Sequence, residues 1–332
     1  MNNSKEEILN LLCNSKKIFI FPHAFLDGDA FGSAIALTLF LKAKKIKCKI
    51  IVDEDIAYIL RFLEVFVKED IIFLNNYDSN ESADLGILID SGDIKRISAK
   101  SRKNFEKSKT KLCIDHHKTS SAKFDYNYIF DTAAATCEIV FDLLKSGEKT
   151  YKTNISKEIA TALYTGIMTD TGRFSFSNVN KKTFLRLAYL LEKNADKDLA
   201  FFNIYENIRI GRALIEGDCL LKLKTYYKGL LGVSYLTNTM LEKRNALYED
   251  GDAVIGRIRE IKGIEVAVFI KERKDGKIKV SLRSKTNFDV ADFAAKFGGG
   301  GHSRAAGFDS DLSVNQMRKE IIKEKYWAKL GE

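Results

Sequence analysis

The chain has 332 residues, 45% of them hydrophobic, and its 54 Lys and Arg against 45 Asp and Glu give a net charge of +9. This length suffices for two domains with separate cores, and the apolar content excludes an intrinsically disordered chain. No apolar run approaches the roughly 20 residues of a membrane span, and the N-terminus lacks the features of a signal peptide. We therefore expect a soluble, cytoplasmic protein with no membrane partner.

The cysteines and the distribution of charge indicate which kinds of site and partner the chain could have. The five scattered cysteines contain no CxxC pair, so we expect them to be reduced and mostly buried rather than zinc-binding. Residues 253–308 carry 12 basic and 6 acidic side chains, which is two thirds of the net charge. A basic segment suits an anionic partner such as nucleic acid, although a solvated lysine-rich surface is the commoner explanation.

Short apolar runs alternate with segments of helical periodicity through the first half of the chain. This pattern predicts a parallel sheet covered by helices. The predicted strands span residues 17–21, 49–52, 71–74, 85–89 and 112–114. The predicted helices span residues 30–45, 133–145 and 156–168.

The pattern changes in the second half of the chain. Residues 186–212 are predicted to form a charged helical connector. A turn at Lys274-Asp275-Gly276 lies between two strand-like runs and indicates a β-hairpin. We predict an α/β protein with a parallel, helix-covered sheet in an N-terminal domain, residues 1–185, and a smaller C-terminal α/β domain, residues 213–332. The elements predicted for the second domain are strands at 229–236, 266–271 and 277–283 and a helix at 290–297.

Acidic side chains and histidines recur where the predicted elements of the first domain end. Taken singly, each cluster has a plain structural explanation, such as an N-cap for Asp27 or Asp29 or a hydrogen-bonded pair for adjacent histidines. Their coincidence favours a ligand site, because open α/β sheets bind ligands at the carboxyl ends of their strands. Mixed imidazole and carboxylate donors suit two divalent cations, with Mn²⁺ preferred over Mg²⁺ or Co²⁺. The clusters are His23 with Asp27 and Asp29, Asp90 with Asp93, Asp115 with His116 and His117, and Asp170 in the run TDTGRF.

A run of four glycines followed by a histidine, residues 298–302, stands out in the second domain. The run could be a flexible turn, but four ordered glycines cost backbone entropy, which favours positive φ angles or a close backbone approach. The N–H groups of such a loop can bind a phosphate. Arg283 precedes the loop on a predicted strand, so a nucleotide phosphate is the expected ligand.

Together these motifs resemble those of the DHH/DHHA1 phosphoesterase family over nearly the whole chain. Asp115-His116-His117 resembles the motif that gives the family its name, and residues 281–284 and 298–307 resemble the DHHA1 signature. One departure is Leu26, where the family usually has proline, and this change removes no ligand. The other matching motifs contain His23, Asp27 and Asp29, then Asp90, then Asp170.

The resemblance implies a division of roles around two metal ions. His23 and Asp27 would hold one ion. Asp29, His116 and Asp170 would hold the other. Asp90 would bridge the two ions, and a hydroxide between them would attack the phosphorus.

The resemblance also implies which residues act on the substrate. Asp115 would orient His116, and His117 would lie near the scissile phosphate as a donor or general acid. The substrate would occupy the cleft between the two domains. Its phosphate would be bound by Arg283, Ser284, Gly298, Gly299, Gly300, Gly301 and His302.

Within the family, the two-domain form is most similar to bifunctional oligoribonucleases that also remove the 3′-phosphate of 3′-phosphoadenosine 5′-phosphate (pAp). The resemblance implies hydrolysis of single-stranded RNA of about two to five nucleotides to mononucleotides, and dephosphorylation of pAp, by a chain that could form a homodimer. One alternative is a stand-alone phosphodiesterase for linear or cyclic dinucleotides such as pApA and cyclic di-AMP, which would use the same metal ions. Further alternatives are a single-strand DNA exonuclease and a non-catalytic nucleic-acid-binding protein, and the complete ligand set argues against the latter.

Overall fold

The first half of the chain forms the parallel sheet that the sequence predicts. The computed structural model describes residues 2–74, 81–117, 120, 123–151, 154–286, 288–327 and 330. Its strands are β1 (Lys17–Pro22), β2 (Lys47–Val52), β3 (Ile71–Phe73), β4 (Leu85–Ile89), β5 (Thr110–Asp115) and β6 (Tyr126–Ile129). They lie in the order β3-β2-β1-β4-β5-β6, and every neighbouring pair is parallel.

Helices cover both faces of this sheet, and therefore its central strands are apolar on both sides instead of alternating. The helices are α1 (Lys5–Asn14), α2 (Gly28–Ala43), α3 (Arg61–Glu64), α4 (Ala99–Glu106), α5 (Thr136–Tyr151), α6 (Lys157–Asp170), α7 (Lys181–Glu192) and α8 (Lys197–Phe201). Ile18 and Ile20 of β1 belong to the core formed with α1, α2, α5 and α6. Phe19 and Phe21 face the other way and pack with Phe105 of α4.

The close approach of α2 and α6 depends on glycine. A Cβ atom at Gly32 would lie 2.4 Å from the carbonyl oxygen of Ala162, which is far inside van der Waals contact. A Cβ atom at Gly166 would lie 3.1 Å from Cα of Asp29 in α2, and 2.2 Å from Sγ of Cys137 in α5. The missing side chains let the two helices pack backbone to backbone. This packing brings the start of α2 and the end of α6 to the same edge of the sheet.

We expect Gly32→Ala to lower the free energy of unfolding by about 1–3 kcal/mol, because the Ala162 backbone must move to admit the methyl group. Denaturation with urea, followed by circular dichroism, measures the change. Gly147→Ala in α5 is the matched control, since the nearest atom to its Cβ would be 3.4 Å away. That control should leave stability unchanged or raise it slightly through helix propensity. Equal stability of the two variants would contradict the glycine requirement.

The second half of the chain forms a mixed six-stranded sheet. Its strands are β7 (Lys224–Tyr226), β8 (Leu231–Leu236), β9 (Val266–Glu272), β10 (Ile278–Ser284), β11 (Gly300–His302) and β12 (Ala305–Ser310), in the order β11-β12-β10-β9-β8-β7. Only the β8–β9 pair is parallel. The predicted hairpin is present between β9 and β10, where Gly276 has a φ of +81°. The helices are α9 (Ile210–Leu221), α10 (Asn238–Arg244), α11 (Val254–Glu260), α12 (Val290–Ala295) and α13 (Val314–Ile321).

The chain divides into two compact units, Met1–Asn207 and Ile208–Glu332. The division falls inside residues 186–212, the segment predicted to be a connector. One apolar cluster of the second unit joins β8, β9 and β10 to α12, α13 and Trp327, and another lies under α9, α10 and α11. In the described part of the chain, no helix combines the length and the hydrophobicity needed to cross a membrane.

Candidate metal centre

The acidic and histidine clusters of the first unit meet at the carboxyl edge of its sheet. His23 follows β1, Asp90 follows β4, and Asp115 is the last residue of β5. Their donor atoms form three overlapping groups, in each of which one ligand atom per residue lies within 4.8 Å of the others. These groups are His23 with Asp27 and Asp90, Asp29 with His116 and Asp170, and Asp90 with His116 and His117.

His23 is the most informative residue of the first group. Its side chain is 4% exposed, and neither ring nitrogen has a hydrogen-bond partner among the described residues. Its Nε2 atom lies 3.5 Å from Oδ2 of Asp27 and 3.4 Å from Oδ2 of Asp90. Burial alone would lower the pKa of His23, but the two carboxylates outweigh it and raise this pKa to about 10. A buried imidazole without a hydrogen bond, facing two carboxylates, fits a cation between the three groups.

Asp27 caps a helix and faces His23 at the same time. Its Oδ1 atom accepts hydrogen bonds from the N–H groups of Asp29 (3.1 Å) and Ala30 (2.9 Å), which makes it the N-cap of α2. Its Oδ2 atom faces His23. Burial alone would raise the pKa of Asp27, but His23 and the helix N–H groups lower it overall. The capping and metal-binding explanations are therefore compatible, because each uses a different oxygen.

The second group places two carboxylates around His116. Nε2 of His116 lies 3.5 Å from Oδ2 of Asp170 and 3.9 Å from Oδ2 of Asp29. Asp29 is held by two backbone N–H donors at the start of α5, from Thr136 at 2.6 Å and Cys137 at 2.8 Å. Burial, and next the negative charge of Asp90, raise the pKa values of both Asp29 and Asp170 well above the ordinary carboxyl range. Crowded buried carboxylates of this kind are stabilised by cations.

Asp90 lies between the two groups and directs one oxygen to each. Oδ2 is the atom near His23, and Oδ1 lies 3.7 Å from Nε2 of His116. Oδ1 also accepts a hydrogen bond of 2.7 Å from the hydroxyl of Thr136. The backbone of Asp90 is left-handed, with a φ of +57°, which is strained for a non-glycine residue and typical of functional positions. This arrangement is what a carboxylate shared by two cations requires.

The partner of Asp115 differs from the prediction. Oδ1 of Asp115 lies 2.7 Å from Nδ1 of His117, whereas Nδ1 of His116 lies 3.3 Å from the carbonyl oxygen of Ala133. Residues 116 and 117 follow the end of β5, and the N–H of His117 also donates to Oδ1 of Asp115 at 3.2 Å, which brings the ring of His117 to this carboxylate. Asp115 contacts His116 only through that residue's backbone N–H, at 2.9 Å. The prediction that Asp115 orients the His116 ring is therefore wrong.

Thr136 and Arg96 also contact this centre, although the sequence predicted neither of them. Thr136 binds both Asp29 and Asp90, and its position at the start of α5 is the only signal that could have indicated it. Arg96 lies with Nη1 at 3.3 Å from Nε2 of His117. Asp93, although part of the same sequence cluster as Asp90, instead caps a turn by accepting the N–H of Lys95 at 2.8 Å.

The residues predicted to bind substrate lie in the second unit. Arg283 and Ser284 end β10, and Gly300, Gly301 and His302 form β11. Arg283 pairs with Ala305 of β12, which in turn pairs with His302, so the backbones of the two predicted phosphate ligands lie in one cross-strand row. The side chain of His302 lies outside the described part of the structure.

The glycine loop has the backbone features that its sequence predicts. Gly298 and Gly301 have φ angles of +77° and +145°. A Cβ atom at Gly299 would lie 2.3 Å from the carbonyl oxygen of Gly307, and one at Gly301 would lie 2.4 Å from that of Ala305. Positions 298, 299 and 301 therefore require glycine for the loop to fold, and the binding of a phosphate by this loop remains a prediction.

The chain resembles known proteins over both units. The DHH family, N-terminal domain, matches residues 17–167, and the DHHA1 domain matches residues 232–325. The bifunctional oligoribonuclease and PAP phosphatase NrnA of Thermus thermophilus is 30% identical over 320 residues, which cover 92% of this chain and 88% of that protein. The crystal structure of an exopolyphosphatase-related protein from Bacteroides fragilis matches with a TM-score of 0.90 and 28% identity, over 99% of this chain and 97% of that chain.

A weaker match is the cyclic-di-AMP phosphodiesterase GdpP of Geobacillus thermodenitrificans, which is 23% identical over 94% of this chain but only 47% of that protein. The two matched domains, together with the histidine and carboxylate centre, define a phosphoesterase, which is a hydrolase. The chain belongs to the DHH family and combines its N-terminal domain with a DHHA1 domain.

We expect Asp90→Asn to abolish the binding of two Mn²⁺ ions per chain, because one neutral amide replaces the carboxylate shared by both groups. For wild type, a Mn²⁺ concentration 100 times the dissociation constant should stabilise the fold by about 2.7 kcal/mol, and EDTA should reverse the effect. The variant should lose most of this stabilisation, measured by thermal unfolding with and without Mn²⁺. Asp93→Asn is the control and should retain it. A wild-type response from Asp90→Asn would show that Asp90 does not bridge the ions.

Proposed function

We propose that this protein is a metal-dependent phosphoesterase that hydrolyses RNA of about two to five nucleotides to mononucleotides and removes the 3′-phosphate of pAp. The observation that carries the proposal is the position of Asp90, whose two carboxylate oxygens face His23 of one ligand group and His116 of the other at one edge of the sheet. The similarity to an oligoribonuclease and PAP phosphatase over most of both chains supports the choice of substrates.

We further propose that His23, Asp27 and Asp90 hold one divalent ion and that Asp29, His116, Asp170 and Asp90 hold the other. The donor set of imidazoles and carboxylates fits Mn²⁺ best, with Mg²⁺ or Co²⁺ as alternatives. When bound, such a pair of ions activates a water molecule and neutralises the phosphoryl oxygens. The protein keeps these ligands in place through the α2 cap, the α5 N-terminus and the Thr136 hydroxyl.

His117 is the residue we propose to act on the leaving group. Asp115 binds Nδ1 of His117, which fixes the ring orientation and leaves Nε2 directed away from that carboxylate. We propose that the ring, oriented in this way, presents Nε2 to the leaving oxygen of the substrate. His117 remains partly accessible, with 18% of its side chain exposed, so a substrate can reach it.

In the second unit, β10 supports a substrate role for Arg283. Burial along β10 alternates, so that one side packs into the core while Lys279, Ser281 and Arg283 share the other, half-buried side. Their partners on β12 include the small residues Ala305 and Gly307. Burial, and next the nearby charge of Arg259, lower the pKa of Arg283. We propose that this face, with Ser284, the glycine loop and His302, binds the substrate phosphate.

A phosphodiesterase for pApA or cyclic di-AMP is the second candidate. The similarity to GdpP favours it, although this chain spans about half the length of that protein. The same metal ligands would serve both reactions, so only the substrate distinguishes them.

A substrate panel with purified protein and Mn²⁺ tests the proposal. It contains 5′-labelled RNA of two to seven nucleotides, pAp, pApA, cyclic di-AMP, single-stranded DNA and pyrophosphate, each with and without EDTA. We expect the shortest RNA and pAp to be hydrolysed fastest, and only without EDTA. Cleavage of pApA or cyclic di-AMP with inert longer RNA and pAp would favour the second candidate. Rapid pyrophosphate cleavage with inert RNA and pAp would overturn the proposal.

We expect Arg283→Ala to raise KM for the preferred phosphorylated substrate about tenfold, with a smaller change in kcat, because a charge-assisted hydrogen bond to phosphate is lost. Steady-state kinetics measure the changes in KM and in kcat separately. Arg273→Ala is the control, since Arg273 lies in the same unit and pairs with Asp309 at 3.2 Å. An unchanged KM for Arg283→Ala would remove this residue from the binding site.

A further inference from the structure

Arg96 borders the metal-ligand groups although no sequence motif points to it. It is the last residue of a 3₁₀ turn, Ile94–Arg96, that follows Asp90 by a few residues. The turn is fixed because Arg96 donates its N–H to the carbonyl of Asp93 at 3.0 Å. The carbonyl of Arg96 in turn accepts the N–H of Ala24 at 2.9 Å. The backbone of Arg96 is therefore tied to the loops that carry His23 and Asp90.

The guanidinium of Arg96 faces the centre. Its Nη1 atom lies 3.3 Å from Nε2 of His117, on the opposite side of that ring from Asp115. Its positive charge also reaches Asp27 and Asp170, one carboxylate from each ligand group, and favours their ionised forms. The side chain is exposed, so a substrate can contact it.

The contacts of Arg96 differ from those of arginines that stabilise the fold. Arg186 forms a fork with Asp142, through bonds of 3.1 and 2.6 Å, and also pairs with Glu138. Arg244 forms the same fork with Asp218. Within the described ranges, the contact recorded for the Arg96 side chain is with an imidazole and not with a carboxylate. Its charge therefore remains available for an anion.

We propose that Arg96 is a catalytic residue that binds the non-bridging oxygens of the phosphate being hydrolysed. An arginine has five N–H donors in a planar fork that matches two phosphate oxygens, and only one of them faces His117. Negative charge on these oxygens must be stabilised as the phosphoryl group is transferred, and a guanidinium beside the reacting phosphate does this directly. The inference depends on the proposed function in one respect, which is that the bound anion is a phosphate ester.

The test compares Arg96→Met, which keeps the bulk of the side chain without its charge, with Arg96→Lys, which keeps the charge without the fork. Lys95→Met is the control, because Lys95 is exposed in the same turn. On the preferred substrate with Mn²⁺, we expect Arg96→Met to lower kcat/KM on the order of 100-fold, mainly through kcat. Arg96→Lys should recover part of the loss, and Lys95→Met should stay within about threefold of wild type. All three variants should still bind two Mn²⁺ ions and unfold near the wild-type temperature, since Arg96 is not a ligand of the ions.

A second measurement separates this inference from the proposed function. Calorimetric titration of inorganic phosphate and of AMP into the Mn²⁺-loaded proteins measures anion binding without turnover. We expect Arg96→Met to weaken phosphate binding about tenfold or more, even if wild type hydrolyses none of the panel substrates. If the variant binds phosphate as tightly as wild type, or keeps wild-type kcat/KM on an active substrate, the inference is wrong. Loss of Mn²⁺ binding in Arg96→Met would also overturn it, because Arg96 would then act on the metal ligands.

Discussion

The mutual repulsion of buried carboxylates around Asp90 is the constraint on which the rest of the first unit depends. Asp29 and Asp90 are almost completely buried, and Asp170 lies close to them. The charge of Asp90 makes ionisation of Asp29 and of Asp170 less favourable. A fold does not retain such a cluster for stability, since apolar side chains of equal volume would avoid the penalty. The two cations proposed for this site would remove the repulsion and use the same carboxylates as ligands. Binding of metal would then also stabilise this edge of the sheet.

The surrounding structure holds these side chains in place despite that repulsion. The N–H groups at the start of α5 bind Asp29, and those at the start of α2 bind Asp27. Helix N-termini carry partial positive charge, which offsets part of the negative charge before any ion is bound. Gly32 and Gly166 allow α2 and α6 to approach closely enough for their acidic ends to meet. The packing of the apolar core thus sets the spacing of the ligands.

Basic residues that lie near the candidate site are found in both units. In the second unit, the basic residues include Lys279 and Arg283 on the half-buried side of β10, where the pKa values of both are lowered, first by burial. In the first unit, Arg96 is the cation that lies beside the acidic centre, and Arg186 is neutralised by Asp142 and Glu138. Arg283 and Arg96 thus both lie where a phosphate is proposed to bind. The total charge alone did not distinguish these residues from a solvated surface.

The sequence predicted the parallel sheet, the hairpin at Asp275-Gly276 and the set of acidic and histidine residues, because apolar periodicity and residue type can be read directly from the chain. It did not predict β6, whose four residues lie at the sheet edge and include Asn127, or α1, which is short. The folded structure was needed to show that Asp115 contacts the ring of His117 and that Asp90 directs one oxygen to each ligand group. It was also needed to show that Arg96 and Thr136 contact the centre. These are contacts between side chains on separate strands and loops, and their partners depend on backbone direction and strand order, which local sequence patterns do not encode.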